Sequence, residues 1–228
     1  MKKFNKEEFN NFIIENKVVG FFDEPIKLKS GRLSNWYVNW RNIAEDVFLL
    51  DKLSDYVIAF VNELNLKPKC FYGVPEGATK LSLLTQYKFA KKQKDYGKGE
   101  YPLAMGRGRE KEHGEEKDRY FLGVPKGPTI VIEDVTTTGN SLIETIKILQ
   151  KFNIEILATI SLTNRNELDE NGKKVEDKIR EFGIAYYTMS NALEILPIAC
   201  KKFKLNEKAK KLLQEYFEKY GTEKLKLE

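Results

Sequence analysis

The sequence predicts an α/β protein whose central, mainly parallel sheet is flanked by helices. Three observations carry this expectation. Apolar runs at Cys70-Phe71-Tyr72-Gly73-Val74, at Thr129-Ile130-Val131-Ile132 and over residues 154–162 alternate with stretches of helical periodicity. Such alternation implies parallel strands joined by crossover helices. The run 129–132 is apolar without a break, as a strand covered on both faces requires. No internal repeat or low-complexity linker interrupts the chain, and 228 residues suit one domain.

Taken in order, residues 5–15 read as a helix: Asn5 can cap it, Glu8 follows three residues on, and Phe9, Phe12 and Ile13 share one face. Residues 25–40 read as extended, with a turn at Ser30-Gly31 before the strand formers Trp36-Tyr37-Val38. Leu50, Leu53, Val57, Phe60 and Leu64 recur at helical spacing and predict a helix that ends near Leu66, ahead of Pro68. The strand at 70–74 enters a turn at Pro75-Glu76-Gly77, followed by helix to about Lys92. Residues 101–105 form another strand candidate. A helix with Leu142, Ile146 and Leu149 on one side follows the strand at 129–132. Residues 154–162 are strand, 175–182 helix, 184–187 strand-like, and 206–220 an amphipathic helix through Leu212, Leu213, Tyr216 and Tyr220. Residues 106–123 are charged, hold Gly106, Gly108 and Gly114, and lack apolar periodicity; a loop of that length is usually functional or disordered.

Composition narrows the class. With 41% hydrophobic and 12% aromatic residues the chain can fill a core, and its 32% charged residues suit solubility. No apolar run is long enough to span a bilayer, and residues 1–8 lack the apolar stretch of a secretory signal. Two cysteines, Cys70 and Cys200, cannot make a disulfide framework or a metal cage. A soluble cytoplasmic protein with no membrane partner is expected. The net charge is +5, and residues 201–228, with nine lysines and five glutamates, hold +4 of it. The body is therefore close to neutral, and no nucleic-acid partner is expected.

The informative segment is Ile130-Val131-Ile132-Glu133-Asp134-Val135-Thr136-Thr137-Thr138-Gly139-Asn140-Ser141. A buried strand delivers two adjacent carboxylates to its C-terminal end, where open α/β sheets bind ligands. Hydroxyls and backbone N–H groups at the following helix start make a phosphate cradle, and Gly139 lets the backbone approach closely. The carboxylates accept hydrogen bonds from sugar hydroxyls. A sugar phosphate is the inferred ligand. Capping alone explains one acidic residue or one threonine here, not the whole series. No Gly-Lys-Ser/Thr loop is present, which disfavours nucleoside-triphosphate hydrolysis.

Residues 131–139 resemble the 5-phosphoribosyl 1-pyrophosphate (PRPP) signature of type I phosphoribosyltransferases. Three further stretches resemble the orotate phosphoribosyltransferase family in particular. They are Leu28-Lys29-Ser30-Gly31-Arg32-Leu33-Ser34 with Trp36-Tyr37-Val38-Asn39, the loop Arg107-Gly108-Arg109-Glu110-Lys111-Glu112-His113-Gly114, and Thr163-Asn164-Arg165 at the end of a strand. Gly73-Val74-Pro75-Glu76-Gly77 matches the loop that this family places beside pyrophosphate. The matches run in family order from about Lys29 to about Arg165. Two lysines common in the family are absent: Gly108 follows the loop arginine, and Glu76-Gly77 occupies the pyrophosphate loop.

The resemblance implies a type I phosphoribosyltransferase-like fold with a small N-terminal hood (about 1–42), an α/β core (about 43–190) and C-terminal helices (about 191–228) in a single domain. It implies transfer of ribose 5-phosphate from PRPP to orotate, with Mg²⁺ carried by PRPP near Glu133 and Asp134 and no direct protein ligand to the metal. Arg107, Lys111, His113 and Asp134 take the catalytic roles. PRPP falls to Glu133, Asp134, Val135, Thr136, Thr137, Thr138, Gly139, Asn140 and Ser141. Orotate falls to Lys29, Tyr37, Val38, Thr137 and Arg165, whose planar fork of donors suits a carboxylate. A homodimer sharing the 106–123 loop across subunits is implied as well. The alternatives are a purine or other pyrimidine acceptor, and a non-catalytic PRPP-sensing regulator that binds nucleic acid.

Overall fold

The structure, a computed structural model, describes residues 3–28 and 30–227. In chain order the elements are α1 (Lys6–Glu15), β1 (Val19–Lys27), β2 (Leu33–Val38), α2 (Arg41–Ala44), α3 (Val47–Glu63), β3 (Cys70–Gly73), α4 (Thr79–Ala90), β4 (Met105–Gly106), α5 (Glu116–Tyr120), β5 (Phe121–Leu122), β6 (Thr129–Thr136), α6 (Asn140–Lys151), β7 (Ile156–Asn164), α7 (Val175–Arg180), β8 (Tyr186–Asn191), α8 (Ala192–Lys202) and α9 (Glu207–Tyr220). The predicted α/β class is what the chain adopts: β3, β6, β7 and β8 form a parallel sheet in the order β3-β6-β7-β8, with helices on both faces.

The apolar run of β6 explains that position. Ile130 and Ile132 enter one core with Phe71, Ile160 and Leu162, while Val131 enters the opposite core with Leu142, Ile146 and Leu149 of α6. Alternation along a strand sends successive side chains to opposite faces, so an unbroken apolar run buries both. Helix boundaries follow capping chemistry. The Asn5 side chain accepts from the Glu8 N–H at 3.0 Å, and the Asp46 carboxylate from the Leu49 N–H at 2.8 Å. Helix α3 stops where Asn65 takes φ 54°, three residues before Pro68.

The N-terminal hood is an antiparallel hairpin of β1 and β2, outside the main sheet. Its register shifts between Phe21 and Ile26, around Pro25, which has no N–H to donate. Two expectations are corrected here. Residues 101–105 are not a strand: pairing begins at Met105, and Pro102 interrupts the run expected to pair. Residues 106–123 are not a featureless loop. They fold back as an arm in which β4 pairs with β5 and the Arg107 N–H donates to the Tyr120 carbonyl at 2.9 Å. The strand expected at 184–187 begins at Tyr186 and continues to Asn191, directly capping α8. Among the described residues no helix is long and apolar enough to cross a membrane.

Candidate active site

Strand β6 does not stop where its apolar run stops. It continues through Glu133, Asp134, Val135 and Thr136, with Val135 opposite Thr163 and Thr136 opposite Asn164 on β7. Ladder pairing therefore holds both carboxylates on rigid backbone at the sheet's C-terminal edge. A cleft of about 500 Å³ opens there, between β2 of the hood, the 75–77 turn and residues 133–141. Glu133 is 7% exposed, and Asp134 is half-buried with Oδ1 accepting from the Val135 N–H at 2.9 Å. Gly77 lies so close to the Asp134 carboxylate that any side chain at 77 would collide with it. The Pro75–Glu76 peptide bond is cis.

The segment after β6 turns into α6 at Gly139, whose φ of 75° favours glycine. A Cβ at this position would also stand 2.5 Å from Val175 Cγ2, so α7 packs directly on the turn. First-turn N–H groups of α6, from Asn140 onward, face the cleft end of the helix, where the dipole favours anions. Thr136, Thr137, Thr138, Gly139, Asn140 and Ser141 all line the cleft. The Thr136 hydroxyl is engaged behind it, 2.5 Å from the Tyr186 hydroxyl and 3.2 Å from Ser161 Oγ. Burial pushes the Tyr186 hydroxyl above the usual tyrosine range, against the pull of its own hydrogen bonds with Thr136 and Ser161. Thr136 thus braces the turn, and side-chain donors for a ligand start at Thr137.

Arg165 follows β7 and is 2% exposed, yet borders the cleft. Its N–H donates to the Thr136 carbonyl at 2.9 Å, which ties it to the neighbouring strand's end. Its guanidinium stacks 3.7 Å from the Trp36 ring centroid, and Nε donates to Glu167 Oε1 at 2.7 Å. Nη2 reaches Ser34 Oγ at 3.3 Å and the Tyr216 hydroxyl at 3.4 Å. Burial pushes that tyrosine up to about 12. The other Glu167 oxygen accepts from Arg32 Nη1 at 2.8 Å. A fully buried carboxylate is thereby bracketed by two arginines, and it joins hood, β7 loop and α9. Reading the sequence missed Glu167, Arg32 and Tyr216 as supports of Arg165. It missed Arg41 too, a cleft cation at the start of α2.

Tyr37 and Val38 of β2 line the cleft, whereas Lys29 lies outside the described residues. Arg107, Lys111 and His113 are not among the described residues that line it. Arg107 Nε donates to the Asp118 carbonyl at 2.9 Å, the Lys111 carbonyl accepts from Arg119 Nε at 3.0 Å, and Lys111 and His113 are exposed on the arm. The arm's root does reach the cleft. A Cβ at Gly108 would come 2.6 Å from Glu76 Oε1, so the two positions lacking a family lysine meet in space, and glycine at 108 leaves room for Glu76. Lys80 turns away, donating to the Ala44 carbonyl at 3.2 Å. No cluster of three or more His, Cys, Asp or Glu side chains that could hold a metal occurs among the described residues.

A parallel sheet whose carboxylate-tipped strand runs into a phosphate-type turn beneath an N-terminal hood is the type I phosphoribosyltransferase fold. The comparisons with known proteins agree. A crystal structure of orotate phosphoribosyltransferase from Francisella tularensis superposes with a TM-score of 0.68 at 23% identity, covering 94% of this chain and 99% of that one. Adenine phosphoribosyltransferase from Leishmania donovani shares the fold more distantly, at TM-score 0.54 and 12% identity, over 88% of this chain and 83% of that one. In sequence, the chain is 27% identical over 199 residues to orotate phosphoribosyltransferase of Polynucleobacter asymbioticus, covering 84% of this chain and 85% of that protein. It is 28% identical over 196 residues to that of Pyrococcus horikoshii, covering 85% and 95%. No family model matches. The chain is thus similar to orotate phosphoribosyltransferases in sequence, and it shares the phosphoribosyltransferase fold.

The buried triad makes a stability prediction. Glu167→Ala leaves two guanidinium groups facing each other without their carboxylate, and should lower unfolding free energy by about 3–5 kcal/mol. Urea denaturation followed by circular dichroism measures it; a loss below about 1 kcal/mol would mean the triad is solvated.

Proposed function

We propose that the protein transfers ribose 5-phosphate from PRPP to N1 of orotate, giving orotidine 5′-monophosphate and pyrophosphate in cytoplasmic pyrimidine (UMP) biosynthesis, as a single catalytic domain. One observation carries the reading: a single cleft collects the acidic pair with its phosphate-type turn at 133–141, Arg165, and Tyr37 and Val38 of the hood, from three segments far apart in sequence. Glu133 and Asp134 accept hydrogen bonds from the ribose hydroxyls. The turn from Thr137 to Ser141 seats the 5-phosphate at the start of α6. Arg165, with Tyr37 and Val38 on the facing wall, takes the acceptor and its carboxylate.

Pyrophosphate leaves with the electron pair of its bond to ribose C1, so positive charge grows at C1 and negative charge on the leaving oxygens. Groups fixed in advance against those charges lower the barrier. Glu133 and Asp134 face the cationic side; Arg41 and, on the arm, Arg107, Lys111 and His113 serve the anionic side. Closing the arm excludes water that would otherwise capture the ribosyl cation. Two adjacent carboxylates at the cleft edge fit a Mg²⁺ ion that keeps its waters and is brought by substrate phosphates. When bound, that ion adds positive charge to the pyrophosphate oxygens.

A homodimer belongs to the same proposal. Val47, 81% exposed, lines with Tyr87 and Leu103 an apolar groove between α3, α4 and residues 96–103, and the adjacent Phe48 is 74% exposed. Exposed apolar surface of this kind marks an interface, and a second copy of the chain is the occupant the family resemblance implies.

The assay is loss of the orotate absorbance band in the presence of PRPP and Mg²⁺. Turnover with guanine, hypoxanthine or uracil but not orotate would reassign the acceptor. Nucleic-acid binding with a steep salt dependence and no turnover would instead favour a regulator. Asp134→Asn should keep the fold and lower kcat about a hundredfold, the scale of a hydrogen bond to a charged group. Lys111→Ala should lower kcat about tenfold or more and leave orotate affinity alone, as expected of a charge that acts in the transition state. By light scattering the protein should run at twice its 26.5 kDa chain mass, and Phe48→Glu should return it to monomer. A wild-type monomer with full activity would refute the dimer.

A further inference from the structure

We infer that Lys178 is a positioning residue for the donor's 5-phosphate: it turns the Asn140 amide so that its N–H groups, not its oxygen, face the cleft. The inference deepens the proposed reading and rests on it. Lys178 lies on α7, outside the signature stretches, and its side chain is only 15% exposed. Its ammonium donates to the Thr138 carbonyl at 2.7 Å and to Asn140 Oδ1 at 3.1 Å, and pairs with Asp169 Oδ2 at 3.2 Å.

An ammonium group has three protons and no lone pair. Whatever faces it must be an acceptor, so Asn140 presents Oδ1 to Lys178 and leaves Nδ2 with two donors for the other side. That side is the cleft, which Asn140 lines at the first position of α6. Asp169 is itself fixed, because its Oδ1 accepts from the Asn171 and Lys173 N–H groups, both at 2.9 Å. The chain of constraint runs from the Asp169 turn through Lys178 to the amide of Asn140. The same helix supplies Val175, which closes on Gly139. The segment between β7 and β8 is thus the back wall of the phosphate turn.

Three variants test this by steady-state kinetics and by calorimetry with ribose 5-phosphate. Lys178→Met should raise KM for PRPP and Kd for ribose 5-phosphate about tenfold, while kcat and KM for orotate hold. Lys178→Arg, which keeps a donor-only cation, should recover most of that loss. Asn140→Asp separates the roles. It strengthens pairing with Lys178, so thermal stability should hold or rise, yet it replaces the donors with a carboxylate and should weaken ribose 5-phosphate binding at least as much as Lys178→Met. The proposal is overturned if Lys178→Met leaves KM for PRPP unchanged, if it lowers kcat, orotate affinity and thermal stability together, or if Asn140→Asp binds ribose 5-phosphate like wild type. Should Lys178→Met fail to fold, the Asn140→Asp result decides. Wild-type protein that binds ribose 5-phosphate but consumes no orotate would defeat the assigned reaction and leave this inference to the variants.

Discussion

Parallel pairing of β6 between β3 and β7 is the constraint on which the rest of the structure depends. Both ladders and both faces of that strand are occupied, so its backbone has no alternative arrangement of comparable satisfaction. Because the ladder with β7 persists to Thr136, two carboxylates that water would otherwise solvate are carried to the sheet edge on fixed backbone. The turn into α6 then has one direction available, with Gly139 confined by Val175. Local strand physics thereby becomes site geometry: the acidic pair and the helix start cannot drift apart.

Charge is distributed in the site by depth. The buried layer holds Glu167 between Arg32 and Arg165, with Trp36 under the guanidinium, and makes that wall of the cleft rigid. In that low-dielectric setting each group's desolvation is offset only by its partners, which suits positioning better than bulk stability. Outside the cleft, on the arm, charges pair with one another at the surface, as in Arg119 with Glu110, and are held weakly. The inner wall is thus fixed by buried pairs, and the arm is held by exposed ones.

Most elements were legible because their signals are local. Asn5, Asp46 and Pro68 mark helix ends, and the period of Leu50, Leu53, Val57 and Phe60 marks the helix itself. Reading failed where pairing is decided elsewhere. Residues 101–105 looked like a strand by composition, but only Met105 finds a partner, and that partner, Leu122, lies beyond a charged arm with no period of its own. The start of β8 shifted for the same reason: β7 pairs with Tyr186 to Asn191, and composition at 184–187 does not encode that register. In the cleft, the acidic strand end and the glycine turn at 133–141 were legible, because both signals lie within one short stretch. Glu167 and Lys178 were not, since a glutamate after a strand and a lysine on a short helix look like solvated surface.

The sequence by itself determined the class of the fold, the acidic strand end and the glycine turn after it, because each follows from contacts within a few residues. Tertiary structure alone decided which cations meet which carboxylates. Arg32 reaches Glu167 across 135 residues, and Lys178 reaches Thr138 across 40. It also decided that Gly108 makes room for Glu76. The physical reason is range: periodicity and capping act along the chain, whereas burial, ion pairing and steric exclusion act through space, and only the folded sheet brings those groups together.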